Sequence, residues 1–431
     1  MFVGSIRNLR LKRGSTQQAK LLPLLRLTNI ENFLLLCMSR FPSDMHQTTP
    51  KATWSLMDVK DILARLIAFP SVVGTPNGAI AEWISDYCRK AGAGVTVHPG
   101  PEGDRYNLFA TVGPRDGRGY ILSGHMDVVP AGEREWSSDP FVLRAEGERL
   151  YGRGTTDMKG FLACALAALP TLAAMKLRRP IHLALSYDEE AGCRGVPHLI
   201  AELPKLCNAP LGAIVGEPSR MQAVRAHKGK AAVRLEVIGR SGHSSRPDLG
   251  LNAIHAMANL ITEVAEYGKS LTSGSFHHDF VPPYSSLQVG VIAGGQAVNI
   301  IPDRCTCDVE LRALPDISPL SLLTPVRARL AALREQGFEV GWQELSAYPG
   351  LALAESSELA TLLRDLTGQE PLAAVSYGTE AGLYQQAGID SIICGPGDIG
   401  RAHRPDEYIE IGELAACRTM IEKLGTHLAE G

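Results

Sequence analysis

The chain has 431 residues, of which 45% are hydrophobic and 21% charged, and its 43 basic and 46 acidic side chains leave a formal charge of −3. This composition excludes a disordered, collagen-like or coiled-coil protein, and so balanced a charge gives no bulk attraction to nucleic acid or to an anionic membrane. At roughly 150 residues per domain, the length implies two to three domains with cores large enough to need no disulfides.

In chain order, the first fifty residues stand apart. Arg7, Arg10, Lys12, Arg13, Lys20 and Arg26 all precede the first acidic residue, Glu31. Residues 1–50 are read as an extension: an upstream start with the initiator at Met45 or Met57, a flexible arm or a targeting presequence. No function is assigned to it. From Ser55 onward, strand and helix signals alternate. Helices are predicted at Val59–Phe69 and Ala81–Ala91, and strands at Gly94–His98 and Tyr120–Ser123. The apolar run Phe161 to Met175 is read as a buried helix, since it falls short of the roughly 18–20 residues of a membrane span. The stretch Phe280 to Pro302 is uncharged but broken by prolines and polar residues. Further strands are predicted at Ile181–Tyr187 and Gly212–Gly216.

The pattern then changes. A long alternating strand, Ala231–Gly239, is followed by a helix from about Asn252 to Tyr267. Strands at Ser286–Ile292 and Asp308–Ala313 follow, then a helix from about Ser318 to Gln336. This β-α-β-β-α run predicts an inserted α+β module. The α/β pattern resumes from Ser357, with a strand at Ser391–Cys394 and a last helix near Ile411–Glu430. Nine cysteines without paired spacing fit free thiols in a reducing, cytoplasmic setting.

Acidic and histidine side chains recur at the strand ends, where α/β folds place their sites. They are His125, Asp127, Asp157, Glu189, Glu190, Glu217 and His403. Each has an ordinary reading: Asp157 as a helix cap, Glu189-Glu190 as solvated loop charge, Glu217-Pro218 as a turn. Together, two imidazoles and several carboxylates suit zinc or a similar divalent ion. Adjacent glutamates also allow one to hold a cation while its neighbour moves a proton. Residue types and spacing leave both readings open. Gly395-Pro396-Gly397-Asp398-Ile399-Gly400 fits a dinucleotide fingerprint, but Pro396 and Pro405 argue against the helix that such a site requires. His277-His278 is read as solvated, His182 as packed, and Cys193 and Cys394 as lacking a base that would make either a nucleophile.

Longer motifs narrow the choice. Gly124-His125-Met126-Asp127-Val128-Val129-Pro130, the segment from Tyr151 through Asp157 to Gly160, and Asp188-Glu189-Glu190 resemble the signatures of the di-zinc metallopeptidase and aminoacylase family. That family holds acetylornithine deacetylases, succinyl-diaminopimelate desuccinylases and glutamate carboxypeptidases. The resemblance runs from about Leu56 to the C-terminus. It is nearest the acetylornithine deacetylases, through Gly216-Glu217-Pro218-Ser219, Val224 to Gly229, Ser241 to Ser245, Gly378-Thr379-Glu380-Ala381, and Ala402 to Tyr408.

The resemblance implies two Zn2+ or Co2+ ions per chain. His125 and Glu217 would hold one, Glu190 and His403 the other, and Asp157 would bridge them. Asp127 would orient the His125 imidazole, and Glu189 would act as general base. His243 would assist the oxyanion from the inserted module. Asn299, Arg312 and Thr379 would contact substrate, Arg312 by gripping a carboxylate. The implied fold is α/β: a zinc exopeptidase-like catalytic sheet covered by helices, formed by 51–225 and 346–431, with a ferredoxin-like α+β lid at 226–345. The implied reaction is deacylation of N-acetyl-L-ornithine in arginine biosynthesis. The implied partners are a small N-acyl amino acid and a second copy joined through the lid. Alternatives are another N-acyl amino acid, N-succinyl-diaminopimelate, a dipeptide, or a non-catalytic metal-stabilised binding protein.

Overall fold

A computed structural model describes residues 57–132 and 134–430, within one compact unit spanning 55–431. The extension expected over 1–50 lies outside the described residues. The chain enters through α1 (Val59–Ile67), where the Asp58 carboxylate accepts from the Asp61 amide at 2.8 Å. Ile62, Leu63, Leu66 and Ile67 recur at helical spacing and are fully buried. Each such side chain contributes about 1.5–3 kcal/mol of burial. Next come α2 (Gly78–Lys90), β1 (Gly94–Pro99), β2 (Tyr106–Val112), β3 (Tyr120–His125) and α3 (Lys159–Ala174). They are followed by β4 (Ile181–Ser186), α4 (Val196–Leu206) and β5 (Gly212–Pro218).

The first sheet has the order β1-β2-β4-β3-β5-β10, where β10 is Ser391–Gly395. Its last four strands run parallel, and β1 and β2 are antiparallel additions at one edge. Successive residues point to opposite faces. Leu122 and Ile214 therefore face a core shared with α1, α2, α3, α8 (Glu358–Thr367) and α10 (Ile411–Glu430). Ile121 and Val215 face a second core with α4 and α9 (Ala381–Gln386). Covered on both sides, strands β3, β4, β5 and β10 are buried along their whole length, as parallel strands require. Their C-terminal ends open at one edge, and the candidate residues follow them.

The second sheet is built from β6 (Gly229–Ile238), β7 (Ser286–Gly294), β8 (Arg304–Ala313) and β9 (Glu339–Tyr348). Its order is β7-β8-β6-β9, antiparallel throughout, with α5 (Ala253–Leu271) and α7 (Thr324–Ala332) on one face. That is the β-α-β-β-α-β pattern of a ferredoxin-like module.

Several expectations are corrected. The helix expected over 318–336 is broken into α6 (Pro319–Leu322), α7 and a 3-10 turn, Leu333–Gln336. Pro319 and Pro325 each restart a helix in its first turn, where a missing N–H costs nothing. Strand β9 runs to Tyr348, past the expected boundary at 345/346. Strand β2, helix α4 and strand β9 had no prediction. Helix α4 carries Pro197 and Pro204, and β9 exposes Glu339 and Glu344, which hides its period. Among the described residues, no helix is long and apolar enough to cross a membrane.

Candidate metal centre

His125 ends β3. Its Nδ1 lies 2.9 Å from the backbone carbonyl of Asp127 and 3.6 Å from that residue's Oδ1. A proton on Nδ1 is thereby directed to the carbonyl, which leaves Nε2 aimed into the site. The orienting acceptor is thus the main chain of Asp127. Its carboxylate instead accepts from the amides of Glu189 and Glu190, both at 3.1 Å. Asp127 therefore ties the turn after β4 to the end of β3.

Asp157 lies at the centre. Its Oδ1 is 3.1 Å from His125 Nε2, and its Oδ2 is 3.3 Å from His403 Nε2. It does not cap α3: the residue before that helix is Met158, with no side-chain cap. Glu217, at the end of β5, brings Oε1 to 3.7 Å from His125 Nε2. Glu190 Oε1 is 3.1 Å from His403 Nε2 on the opposite side. His403 is delivered by the loop after β10, whose only helix is the 3-10 turn Ile399–Arg401. The G-x-G-x-x-G stretch therefore starts no dinucleotide-binding helix.

Donor atoms of His125, Glu189 and Glu217 fall within 4.8 Å of one another, as do those of His125, Asp157 and Glu190. The electrostatics suit cations. Burial, reinforced by Asp157, pushes Glu217 well above the usual carboxylate range. Burial and the neighbouring Glu190 raise Glu189 to about 8. Burial pushes Asp127 up to about 6 against the pull of His125. Asp157 goes the other way: burial raises it, but the two imidazoles outweigh that and hold it below the usual range. Hydrogen bonds to Asp157 and Glu190 lift His403 to about 10. Five clustered carboxylates that repel one another, with two imidazole nitrogens turned towards them, form an N/O donor set that fits divalent cations such as zinc.

The remaining predicted residues are elsewhere. His243 is exposed in a two-residue strand, and its Nδ1 lies 2.8 Å from Ser245 Oγ. Asn299 is exposed, and its carbonyl accepts from Ser244 N at 3.1 Å. Arg312 on β8 is half-buried, bonded to Glu310 at 2.9 Å and facing Tyr348. Thr379 is fully buried and turned into the protein, where its Oγ1 accepts from Ala381 N at 3.0 Å. Its hydroxyl therefore serves the start of α9. His182 stacks on Phe109 at 5.1 Å, as a packed residue would, and His277 is exposed.

Some contributors had no assigned role in the sequence. Cys193 Sγ donates to Glu189 Oε1 at 3.2 Å, and burial with the nearby carboxylates raises its pKa well above the ordinary thiol value. It is a hydrogen-bond donor to Glu189, not a nucleophile. Gly192, at φ +101, leaves room for Ser346 of β9 against the same turn: a Cβ there would sit 2.1 Å from Ser346 Cβ. Glu380 is buried and accepts from Ser123 Oγ at 2.5 Å and Ser186 Oγ at 2.8 Å, bracing β3 and β4 just below the site. Both Cys193 and Glu380 lie inside or next to motifs quoted above, but only the fold shows what they touch.

A sheet covered by helices on both faces, with a multi-carboxylate cluster at its C-terminal edge between buried His125 and half-exposed His403, defines a metal-dependent amidohydrolase. Residues 121–427 match the model of peptidase family M20/M25/M40, and the chain belongs to that family. It is 32% identical over 376 residues to an acetylornithine deacetylase of Photorhabdus laumondii subsp. laumondii, covering 85% of this chain and 96% of the relative. It is 34% identical over 352 residues to an acetylornithine deacetylase of Pasteurella multocida, covering 81% and 90%. Among solved structures, it resembles an M20 family metallo-carboxypeptidase from Sulfolobus solfataricus (TM-score 0.71, 20% identity, 87% of this chain and 100% of that one). It also resembles a dinuclear metal binding peptidase of the M20 family from Bacillus subtilis (TM-score 0.59, 13% identity, 86% and 98%). At those identities the structural likeness speaks for the fold alone.

Proposed function

We propose that the protein deacylates an N-acyl amino acid, with N-acetyl-L-ornithine as substrate and ornithine and acetate as products. The observation that carries the hydrolytic reading is Asp157, whose two carboxylate oxygens reach His125 and His403 on opposite sides. The choice of substrate is supported by the relatives named acetylornithine deacetylase, which match most of both chains.

His125 and Glu217 would hold one cation, Glu190 and His403 a second, and Asp157 would lie between them. When bound, the cations polarise the amide carbonyl and ease ionisation of the attacking water. Glu189, whose carboxylate lies within 4.8 Å of donor atoms of His125 and Glu217, accepts the proton of that water and returns it to the leaving nitrogen. Cys193 holds the Glu189 carboxylate, and Asp127 holds the turn that carries it. Arg312 pairs with a substrate carboxylate, and His243 and Asn299 approach from the second module, which serves as a lid. Strand β7 is the edge of its sheet and exposes Val291 and Ile292. An open apolar edge of this kind supports pairing with a second copy of the chain. Among the described residues all eight cysteines are free, which supports a reducing, cytoplasmic setting.

The test is kcat/KM of metal-stripped protein reloaded with zinc or cobalt, against a panel of substrates. The panel is N-acetyl-L-ornithine, N-acetylcitrulline, N-acetylmethionine, N-succinyl-diaminopimelate and several dipeptides. Preference for acetylornithine is the expected result. Preference for another compound overturns the substrate but keeps the reaction. Metal binding without any turnover would favour a binding protein.

A further inference from the structure

Beneath the cluster lies a buried ion pair to which the mechanism above gives no role. Arg153 Nη1 is 2.9 Å from Glu407 Oε2, and both side chains are only 1% exposed. Glu407 also accepts three backbone amides: Gly154 N at 3.1 Å on Oε2, and Thr156 N at 2.9 Å and Asp157 N at 3.1 Å on Oε1. The guanidinium reaches further, donating to the carbonyls of Arg404 at 3.2 Å and Pro130 at 3.3 Å. Main-chain bonds reinforce the same contact, from Gly152 N to Glu407 O at 2.9 Å and from Thr156 Oγ1 to Tyr408 O at 2.6 Å.

The pair thus touches three segments that are remote in sequence. One follows His125, one carries Asp157, and one follows His403. These are the three groups of the His–Asp–His line. A buried ion pair is weak grounds for stability, because desolvating two charges offsets most of their attraction. What this pair supplies is geometry. Four donors on one carboxylate fix the main chain from Gly154 to Asp157, including Gly154 at φ +85, where a Cβ would come within 2.6 Å of Val128. With its own amide held, Asp157 extends its carboxylate from a fixed stretch of main chain to both imidazoles.

We propose that Arg153 and Glu407 are positioning residues of the metal centre, which preset Asp157 between His125 and His403 before any cation binds. The inference rests on the reading of this cluster as a metal centre. It assigns Glu407 an effect on cation affinity that is separable from its effect on folding. Ligands held in place lose less freedom when a cation arrives, and partners behind metal ligands typically contribute about 10–100-fold in affinity.

The test compares zinc affinity, by competition with a chromogenic chelator, with the melting temperature of the metal-free protein. Glu407→Gln keeps the shape but turns an amide NH2 towards donors at Gly154 and Arg153. It should bind zinc about 10–100-fold more weakly, with kcat largely restored at saturating zinc. Arg153→Met combined with Glu407→Gln removes both buried charges. That variant should regain melting temperature relative to Glu407→Gln yet keep the weak zinc binding, a split that a purely structural role would not produce. If Glu407→Gln does not fold, Arg153→Lys carries the same test, because it keeps the charge but cannot reach Pro130 and Arg404 together. Wild-type zinc affinity in any folded variant of this set overturns the proposal. Absence of zinc binding by the wild-type protein would instead overturn the metal-centre reading itself.

Discussion

In the six-stranded sheet, the strands that lead to candidate ligands are buried on both faces, and the side chains they deliver bond to one another across long sequence separations. In the four-stranded sheet the two central strands, β6 and β8, alternate between buried and partly exposed side chains, and in that module His243 bonds to its near neighbour Ser245 and Arg312 to Glu310. The cation-holding half is therefore a fixed constellation, set by strand ends and buried carboxylates. In the proposed function, the other half supplies groups that would act once the second module closes over the site, a gating step.

The largest effect should come from the centre of the fixed half. Asp157→Ala removes the group shared by both histidines, so zinc content of the purified protein should fall and turnover should disappear. Retained metal and rate would break the contrast between the halves. Glu189→Gln should leave bound zinc unchanged and lower kcat by about 10²–10⁴-fold, the usual scale of general acid–base catalysis. His243→Ala sharpens the comparison from the other side. If the exposed imidazole meets the oxyanion, kcat should drop by about 10²–10³-fold with metal content intact. An unchanged rate would confine His243 to its serine-rich turn.

Much of this division is legible in the sequence. Short apolar strands ending in His125, Glu189-Glu190 and Glu217 point to the edge of a parallel sheet, and β-α-β-β-α periodicity marks the second module. Less legible are contacts that depend on the fold bringing remote residues together. The Asp127 carboxylate hydrogen-bonds to the Glu189 and Glu190 amides and stays 3.6 Å from the His125 ring. Thr379 sits in a motif near the site but faces inwards to the Ala381 amide. Arg153 and Glu407 are 254 residues apart, and no local pattern announces a pair at that separation.

The smallest effect is on stability. Burial pushes both His182, in the first sheet, and His227, at the entry to the second, down to about 4. Their folded pKa values lie below the unfolded value of 6.5, so between those limits the unfolded chain binds more protons. The two histidines should therefore contribute less stability to the metal-free protein as pH drops from 6.5 towards 4, by up to about 1.4 kcal/mol per pH unit each, while the buried carboxyls of Asp127 and Glu189, held above their usual range, work in the opposite sense. His182→Phe, which keeps the stack on Phe109, should flatten part of that slope in melting curves. Parallel curves for variant and wild type would show that His182 does not contribute.

The most direct test of the central claim is calorimetric titration of zinc into the metal-stripped protein, with N-acetyl-L-ornithine hydrolysis followed over the same additions. Two bound equivalents, with turnover appearing as they fill, are the result expected of a centre in which Asp157 lies between two cation sites. Binding that stays below one equivalent, or hydrolysis indifferent to chelation, would contradict it.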